Sequence, residues 1–589
     1  METFELNYTL EELKKRTHKD YLTTKKMLDV DAPEYLALEE GDKAALKNLV
    51  KAAYFIQKIN LQLDNKKNLP FYDFLRTEIL KGNERAELTK ILFDAQIGMC
   101  AIDRESVKIN LAKGVEELPG KGLYPTDLSK EEFHKILIKM IKDGKIEEVR
   151  KILNQRSVVL RARDELAAKD YIDYFHEEFR VVAEKLESAA ETSTNEDFNE
   201  YLKLQASALR SADPMLDAYA DKKWAELQDT PLEFTITREN YADEMTESVI
   251  ENEELKKLLD EHNIPVISKD FLGGRVGIVN KKGTEDLLKI KDYLPLLAAN
   301  MPYCDEYEQN IKPSNEILNH PAENSEVGNS PKQTMVDVDI VVLAGDVGAY
   351  RAGITLAENL PNDDKLSLTI GGGRRNVYHR QIRFISDREK LQKRLDTILD
   401  KSQHQYYLDE ADHWFTIGHE NTHSLGPNKG TEALGKYKSI IEENKADMGA
   451  LAFLDLLEEK GMYTSEQVLQ MIVSFAADNF LKSKPTLSQA HRVRSVMQNK
   501  YFLENGAIEL TEDGKIHVNI DKMIPTAKKM LAEIVRIQID GDFAKGEKYV
   551  LDNFVWTDEM EVISKKLKEI DKNLNGRTDA PLARMLLRS

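Results

Sequence analysis

Across residues 1–230, Leu, Ala, Glu and Lys recur at three- and four-residue spacing. The strings EELKKRTHKDYLTTKKML (11–28), EEFHKILIKMIKDGKIEEVRKIL (131–153) and DYFHEEFRVVAEKLESAAE (173–191) show it most clearly. That period predicts mostly helix, and no repeat of fixed length is visible, so a solenoid is not expected. From about residue 231 the pattern shortens. PLEFTITRE (231–239), GRVGIVN (274–280) and VDVDIVVLAG (336–345) are rich in Val, Ile and Thr, bounded by Gly, Pro or Asn, and read as strands. Residues 305–335 are polar and rich in Pro, Asn and Ser, which predicts a long surface loop. Residues 345–375 are dense in Gly and Asn, with Gly371, Gly372 and Gly373 in a row, backbone suited to turns or to close approach of a ligand. Helical texture returns over 386–540, and Gly541-Asp542 opens a mixed segment to residue 589. Helix, strand and helix in that order predict an α+β protein whose strands and helices segregate into different lobes.

Charge and composition narrow the function. The 589 residues hold 83 Lys+Arg against 103 Asp+Glu, a formal charge of −20. That balance argues against a nucleic-acid or anionic-membrane partner, which needs a basic face. Two cysteines, Cys100 and Cys304, make neither a disulfide framework nor a cysteine-rich metal site. Residues 1–20 lack the apolar core of a signal peptide, and no run reaches the roughly 18 apolar residues of a membrane span. The expectation is a cytoplasmic protein.

The chemistry concentrates late in the chain. Four of the twelve histidines lie between 404 and 423, and two of them frame His419-Glu420-Asn421-Thr422-His423. On a helix, i and i+4 share a face, so both imidazoles reach one zinc ion, and Glu420 is placed to take a proton from a metal-bound water. Trp414 and Phe415 lead into that helix, and Gly426-Pro427 ends it. Eighteen residues separate His423 from the string Glu442-Glu443-Asn444-Lys445-Ala446-Asp447, within a second helical string (436–459). A two-histidine zinc site needs a third ligand and an open fourth position. Zinc-bound histidines also need carboxylates on their other ring nitrogens. Three acids meet that demand, with Glu443 and Asp447 on one face, but spacing alone leaves the ligand open between Glu442 and Glu443.

These two strings resemble the dipeptidyl peptidase III (M49) family of zinc metallopeptidases, whose paired motifs are H-E-x-x-(G)-H and E-E-x-x-A-(E/D). Three further stretches follow in the family's order: Glu239-Asn240-Tyr241 for E-x-Y, Asn359 to Asp363 (NLPND) for N-I-P-N-Y-D, and Gln489-Ala490-His491 for Q-A-H. The likeness covers about residues 190–560. It implies His419, His423 and Glu443 as ligands of one Zn2+ per chain, with Glu442 and Asp447 orienting the histidines. It implies Glu420 as the base, with Tyr241 and His491 steadying the scissile carbonyl. Glu239 would hold the peptide's amino terminus, and Asn359 and Asn362 its backbone. The implied activity is release of dipeptides from the amino terminus of short peptides. The implied fold has two lobes separated by a wide cleft, one mainly helical with the zinc site, the other with a β-rich core plus helices. Residues 1–285 and 336–385 would build the lower lobe, 286–335 and 386–540 the upper, and 541–589 would return to the lower. Another zinc aminopeptidase or endopeptidase of H-E-x-x-H…E type, and a vestigial peptide-binding protein, are the competing readings. Three features depart from the family: HENTH has five residues where most members have six, Ser495 stands where the family carries an Arg, with Arg492 and Arg494 beside it, and there is no Nudix box, although some relatives carry a fused Nudix domain.

Overall fold

The computed structural model of the chain describes residues 2–211, 213–239, 243–315, 333–345, 357–360, 370, 374–379 and 388–589. The elements that position the site are, in chain order, β1 (Leu22–Lys26), α1 (Glu40–Asp64), α2 (His176–Ala190), α3 (Pro214–Glu226), β2 (Leu232–Glu239), β3 (Phe271–Val279), β4 (Gln333–Ala344), β5 (Ala357–Leu360), β6 (Arg374–His379), α4 (Asp409–His423), α5 (Lys438–Ala452), α6 (Ser465–Asp478), α7 (Ala490–Glu504), α8 (Ile520–Asp540) and β7 (Asn575–Asp579).

Buried apolar side chains fall into two large cores, and the protein has two lobes. The first core gathers residues from α1, α2 and β2–β4 with Val377 of β6. The second gathers Leu287 to Met301 and the faces of α4 to α8. A satellite cluster around Phe71, Phe93 and Ile109 belongs to the amino-terminal helices. The five-stranded sheet runs β2-β3-β4-β6-β5. Its pairs are antiparallel except β4 with β6, which is parallel. β3 is buried almost throughout, as expected of a central strand covered on both faces. Alternation along β4 and β6 lets the sheet serve both lobes: Val336, Val338 and Val377 enter the first core, while Met335 and Tyr378 enter the second.

A buried knot holds β6 in place. Arg375 Nη2 donates to Glu233 Oε2 at 2.8 Å, Trp224 Nε1 donates to Glu233 Oε1 at 2.7 Å, and the Arg375 guanidinium also donates to the Leu227 carbonyl. Both members of the Arg375–Glu233 pair are at most 1% exposed, so removing either would strand a buried charge, at about 3–5 kcal/mol.

The structure corrects the helical reading of residues 1–230 in places. The string 11–28 is helix only to Thr17, and Leu22–Lys26 is β1, paired in parallel with β7 from the far end of the chain. Strand pairs Cys100–Ile102 with Lys108–Asn110 and Ser157–Ala162 with Glu165–Asp170 also interrupt the helices. A short amphipathic run takes either period, and a partner more than 500 residues away decides it for Leu22–Lys26. Strand β3 begins at Phe271 and β4 at Gln333, each three residues before the sequence pattern suggests. The carboxy-terminal segment returns late. Val550, Met560, Ile563 and Leu567 still pack in the second core, and only Leu582, Ala583 and Leu586 join the first. The apolar faces of the two helices at 543–570 carry the chain past Gly541 before it crosses. Among the described residues, no helix is long and apolar enough to cross a membrane.

Candidate metal centre

Helices α4 and α5 bring the HENTH and EENKAD strings together because both are bare where they touch. A Cβ on Gly418 would stand 3.1 Å from the Ala450 Cβ, and one on Gly449 only 2.3 Å from Thr422 Cγ2. Unstrained carbon contacts need about 3.5–4.0 Å, so glycine at these two positions permits the close crossing.

His419 and His423 then stand one turn apart with ring centroids 4.8 Å apart and planes at 89°. His419 Nδ1 is 2.8 Å from Asp447 Oδ1, and His423 Nδ1 is 2.9 Å from Glu442 Oε1. Each carboxylate accepts a hydrogen bond from Nδ1–H, which leaves a lone pair on each Nε2. Those two nitrogens face each other at 3.2 Å. Glu443 Oε2 lies 3.4 Å from His419 Nε2 and 4.0 Å from His423 Nε2. Three electron-rich atoms converging in this way repel one another unless a cation lies among them.

The donor set fits zinc on three counts. A tetrahedron with bonds of about 2.0–2.2 Å sets neighbouring donors about 3.3–3.6 Å apart, and two of the three spacings match that edge closely. Glu443 Oε2 is buried yet takes no aligned hydrogen bond, although His491 Nδ1 approaches to 3.0 Å. Four carboxylates (Glu420, Glu442, Glu443, Asp447) outnumber the fixed cations Lys445 and Arg494 around the site, a net negative surrounding that suits a cation. His419, His423 and Glu443 form the one group among the described residues whose ligand atoms converge in this way, all within 4.8 Å of one another.

Electrostatics separate the two adjacent glutamates. Burial would raise both carboxyls, but each is held well below the ordinary range: Glu442 chiefly by the Lys445 ammonium and His423, Glu443 chiefly by His491 and His419. Glu442 is fully engaged, with His423 Nδ1 and Lys445 Nζ each 2.9 Å from Oε1, and Gln538 Nε2 donating to Oε2 at 2.7 Å. Glu443 keeps an oxygen turned toward the histidines. Glu443 is thus the inward carboxylate and Glu442 the outer one.

Helix α7 closes the third side. His491, Arg494 and Gln498, at i, i+3 and i+7, share the face turned to α5. His491 approaches Glu443, and its pKa is raised by that carboxylate against the effect of burial. Arg494 pairs with Asp447 Oδ2, which also accepts from Gln498 Nε2 at 3.0 Å. Lys445 is almost wholly buried and donates to the Leu425 carbonyl at 2.7 Å, tying the end of α4 to α5. Sequence reasoning singled out His491 and noted Arg494 only as a neighbour of Ser495; it did not single out Gln498, Lys445, Gln538, Gly418 or Gly449. The helical spacing from His491 was the available signal for Arg494 and Gln498; nothing local marks Gln538.

Glu420 is buried on α4 beside His419. Glu239 ends β2 and Asn359 lies on β5 opposite Asn376 of β6. Their backbones are placed, and β5 packs against α4. Tyr241 and Asn362 lie outside the described residues.

No family model matches the chain. It is 26% identical over 451 residues to Nudix hydrolase 3 of Arabidopsis thaliana, a match covering 73% of this chain and 53% of that protein, so the chain spans about half the length of the curated relative it matches. Among solved structures it resembles DPP III from Caldithrix abyssi, with a TM-score of 0.74, 23% identity, and coverage of 97% of this chain and 100% of the other. It also resembles dipeptidyl-peptidase III from Corallococcus sp. strain EGB, with a TM-score of 0.78, 21% identity, and coverage of 99% and 98%. Across nearly its whole length, this chain therefore has the dipeptidyl-peptidase III fold.

Proposed function

We propose that the protein is a zinc-dependent dipeptidyl peptidase that removes dipeptides from the amino terminus of short peptides. The observation that carries the reading is the convergence of His419 Nε2, His423 Nε2 and Glu443 Oε2, each histidine backed by its own carboxylate, inside a dipeptidyl-peptidase III fold. His419, His423 and Glu443 would hold one zinc per chain, which supplies a bound water with a pKa near about 7 and a Lewis acid for a peptide carbonyl.

The chain's own residues do the rest. Glu420 takes the proton of the attacking water and delivers it to the leaving amine. His491, whose proton affinity Glu443 raises, donates to the oxygen that gains negative charge, together with Tyr241. Glu239 pairs with the substrate ammonium, and Asn359 and Asn362 hold the peptide backbone. β5 is the last strand of the sheet as described, so its outer edge suits pairing with an extended peptide. Counting from the charged end to the metal centre selects the second peptide bond. The division into a lower lobe (1–285, 336–385) and an upper lobe (286–335, 386–540) that close on the peptide across a cleft belongs to the same reading, and closure would exclude water.

Metal analysis of the purified protein together with hydrolysis of a dipeptidyl arylamide tests this. About one zinc per chain and amine release that a chelator abolishes are expected. Bound zinc without amine release, or release that survives chelation, would refute it.

A further inference from the structure

Strand β5 packs against the metal helix α4, and a ruler that counts two residues needs the two locked in register. Tyr378 of β6 is wholly buried and points into the second core. Its hydroxyl oxygen accepts from Asn421 Nδ2 at 3.3 Å and from Asn376 Nδ2 at 3.3 Å, and both asparagines are wholly buried. Asn421 lies inside HENTH, on the face of α4 turned away from the ligand nitrogens, and its amide is fixed further by donation to the Ile417 carbonyl at 2.8 Å. The Tyr378 ring also meets His413 of α4 edge-on, with centroids 6.3 Å apart. On the sheet side, Asn376 pairs directly with Asn359 of β5. One short polar chain thus runs from the strand position opposite Asn359, through Asn376 and Tyr378, to the middle of the metal motif. Asn376 and Tyr378 are two positions apart on the strand, about 7 Å.

We infer that Tyr378 is a positioning residue that sets the distance between the peptide-binding strand and the metal centre, and so the length of the product. The inference rests on the dipeptidyl peptidase reading. Buried hydrogen bonds of this kind fix geometry more than they bind substrate, so their loss changes where the scissile bond sits.

The test compares wild type with Tyr378→Phe, which keeps the ring and removes only the hydroxyl, on an unlabelled hexapeptide. Zinc content stays at the wild-type level. kcat/KM for dipeptide release falls about three- to tenfold, the range of one or two net hydrogen bonds. The share of products other than dipeptides rises. Asn421→Ala gives the same change in product ratio, and the double variant adds little, since both remove one link. A purely structural role would lower Tm and leave the product ratio unmoved, which would overturn the inference. So would a folded, zinc-loaded Tyr378→Phe protein with wild-type rate and product ratio. A wild-type protein that releases no dipeptides would instead overturn the underlying function.

Discussion

The close crossing of α4 and α5 predicts that a single methyl group on a residue that is not itself a ligand will weaken the metal centre. In Gly449→Ala the new Cβ would stand 2.3 Å from Thr422 Cγ2, against an ordinary contact of at least 3.4 Å, so the helices must part by about 1.1 Å or Thr422 must turn. Thr422 Oγ1 donates to the Gly418 carbonyl at 2.8 Å, which resists the turn. Overpacking of this size costs about 1–3 kcal/mol. Parting the helices would also draw Glu443 and Asp447 on α5 away from His419 and His423 on α4. Misplacing such partners weakens metal affinity roughly 10–100-fold. Chelator competition gives the affinity, and thermal unfolding with and without metal gives the stability. Thr422→Ala in the Gly449→Ala background removes the colliding methyl and recovers most of both. Wild-type affinity in Gly449→Ala, or a double variant no better than the single one, would show that the helix spacing does not build the site.

Glu443→Ala should weaken zinc binding by roughly 10²–10³-fold, about 2.5–4 kcal/mol, if the about 10–16 kcal/mol of a four-ligand site divides evenly; Glu442→Ala should cost only roughly 10–100-fold, and chelator competition showing the reverse order would exchange the two roles. Glu420→Gln should keep its zinc and lose about 10²–10⁴-fold in turnover; near-normal turnover by arylamide assay would remove the proposed base. Burial pushes the Lys269 ammonium down to about 8, its Nζ resting on the Ile152 and Asn154 carbonyls and Ser157 Oγ, each at 2.8 Å. The unfolded chain keeps that proton up to the ordinary 10.5, so it binds more protons across that window and the group makes stability rise with pH from about 8 to about 10.5, by up to about 3 kcal/mol. Lys269→Met should flatten the rise in denaturant titrations; identical slopes in the two proteins would contradict it.

The site was legible where its chemistry is local. HENTH sets two imidazoles on one helix face by spacing alone, and EENKAD offers three acids within a turn and a half. Choosing Glu443 over Glu442 required either the family resemblance or the positions of Lys445, Gln538 and His491, two of which come from other helices. The second layer was hidden for the same reason: Arg494 and Gln498 mean nothing until α7 is seen to lie on α5. In the fold, β2, β3 and β4 carry enough Val, Ile and Thr to be read as strands, whereas Leu22–Lys26 looks helical and becomes β1 only through its pairing with Asn575–Asp579. The two cores escape sequence reading more thoroughly, because successive residues of one strand, Val377 and Tyr378, belong to different ones. The net charge of −20 argues against a nucleic-acid partner but carries no information about peptide length.

The central claim, that a metal-centred site counts two residues from a free amino terminus, is tested most directly by following the first product from an unlabelled hexapeptide by mass spectrometry, with the zinc-loaded protein and again after chelation. The account predicts that the amino-terminal dipeptide and its complementary tetrapeptide appear first and together, and that chelation stops both. A single amino acid or an internal fragment as first product, or dipeptide release that continues without metal, would contradict it.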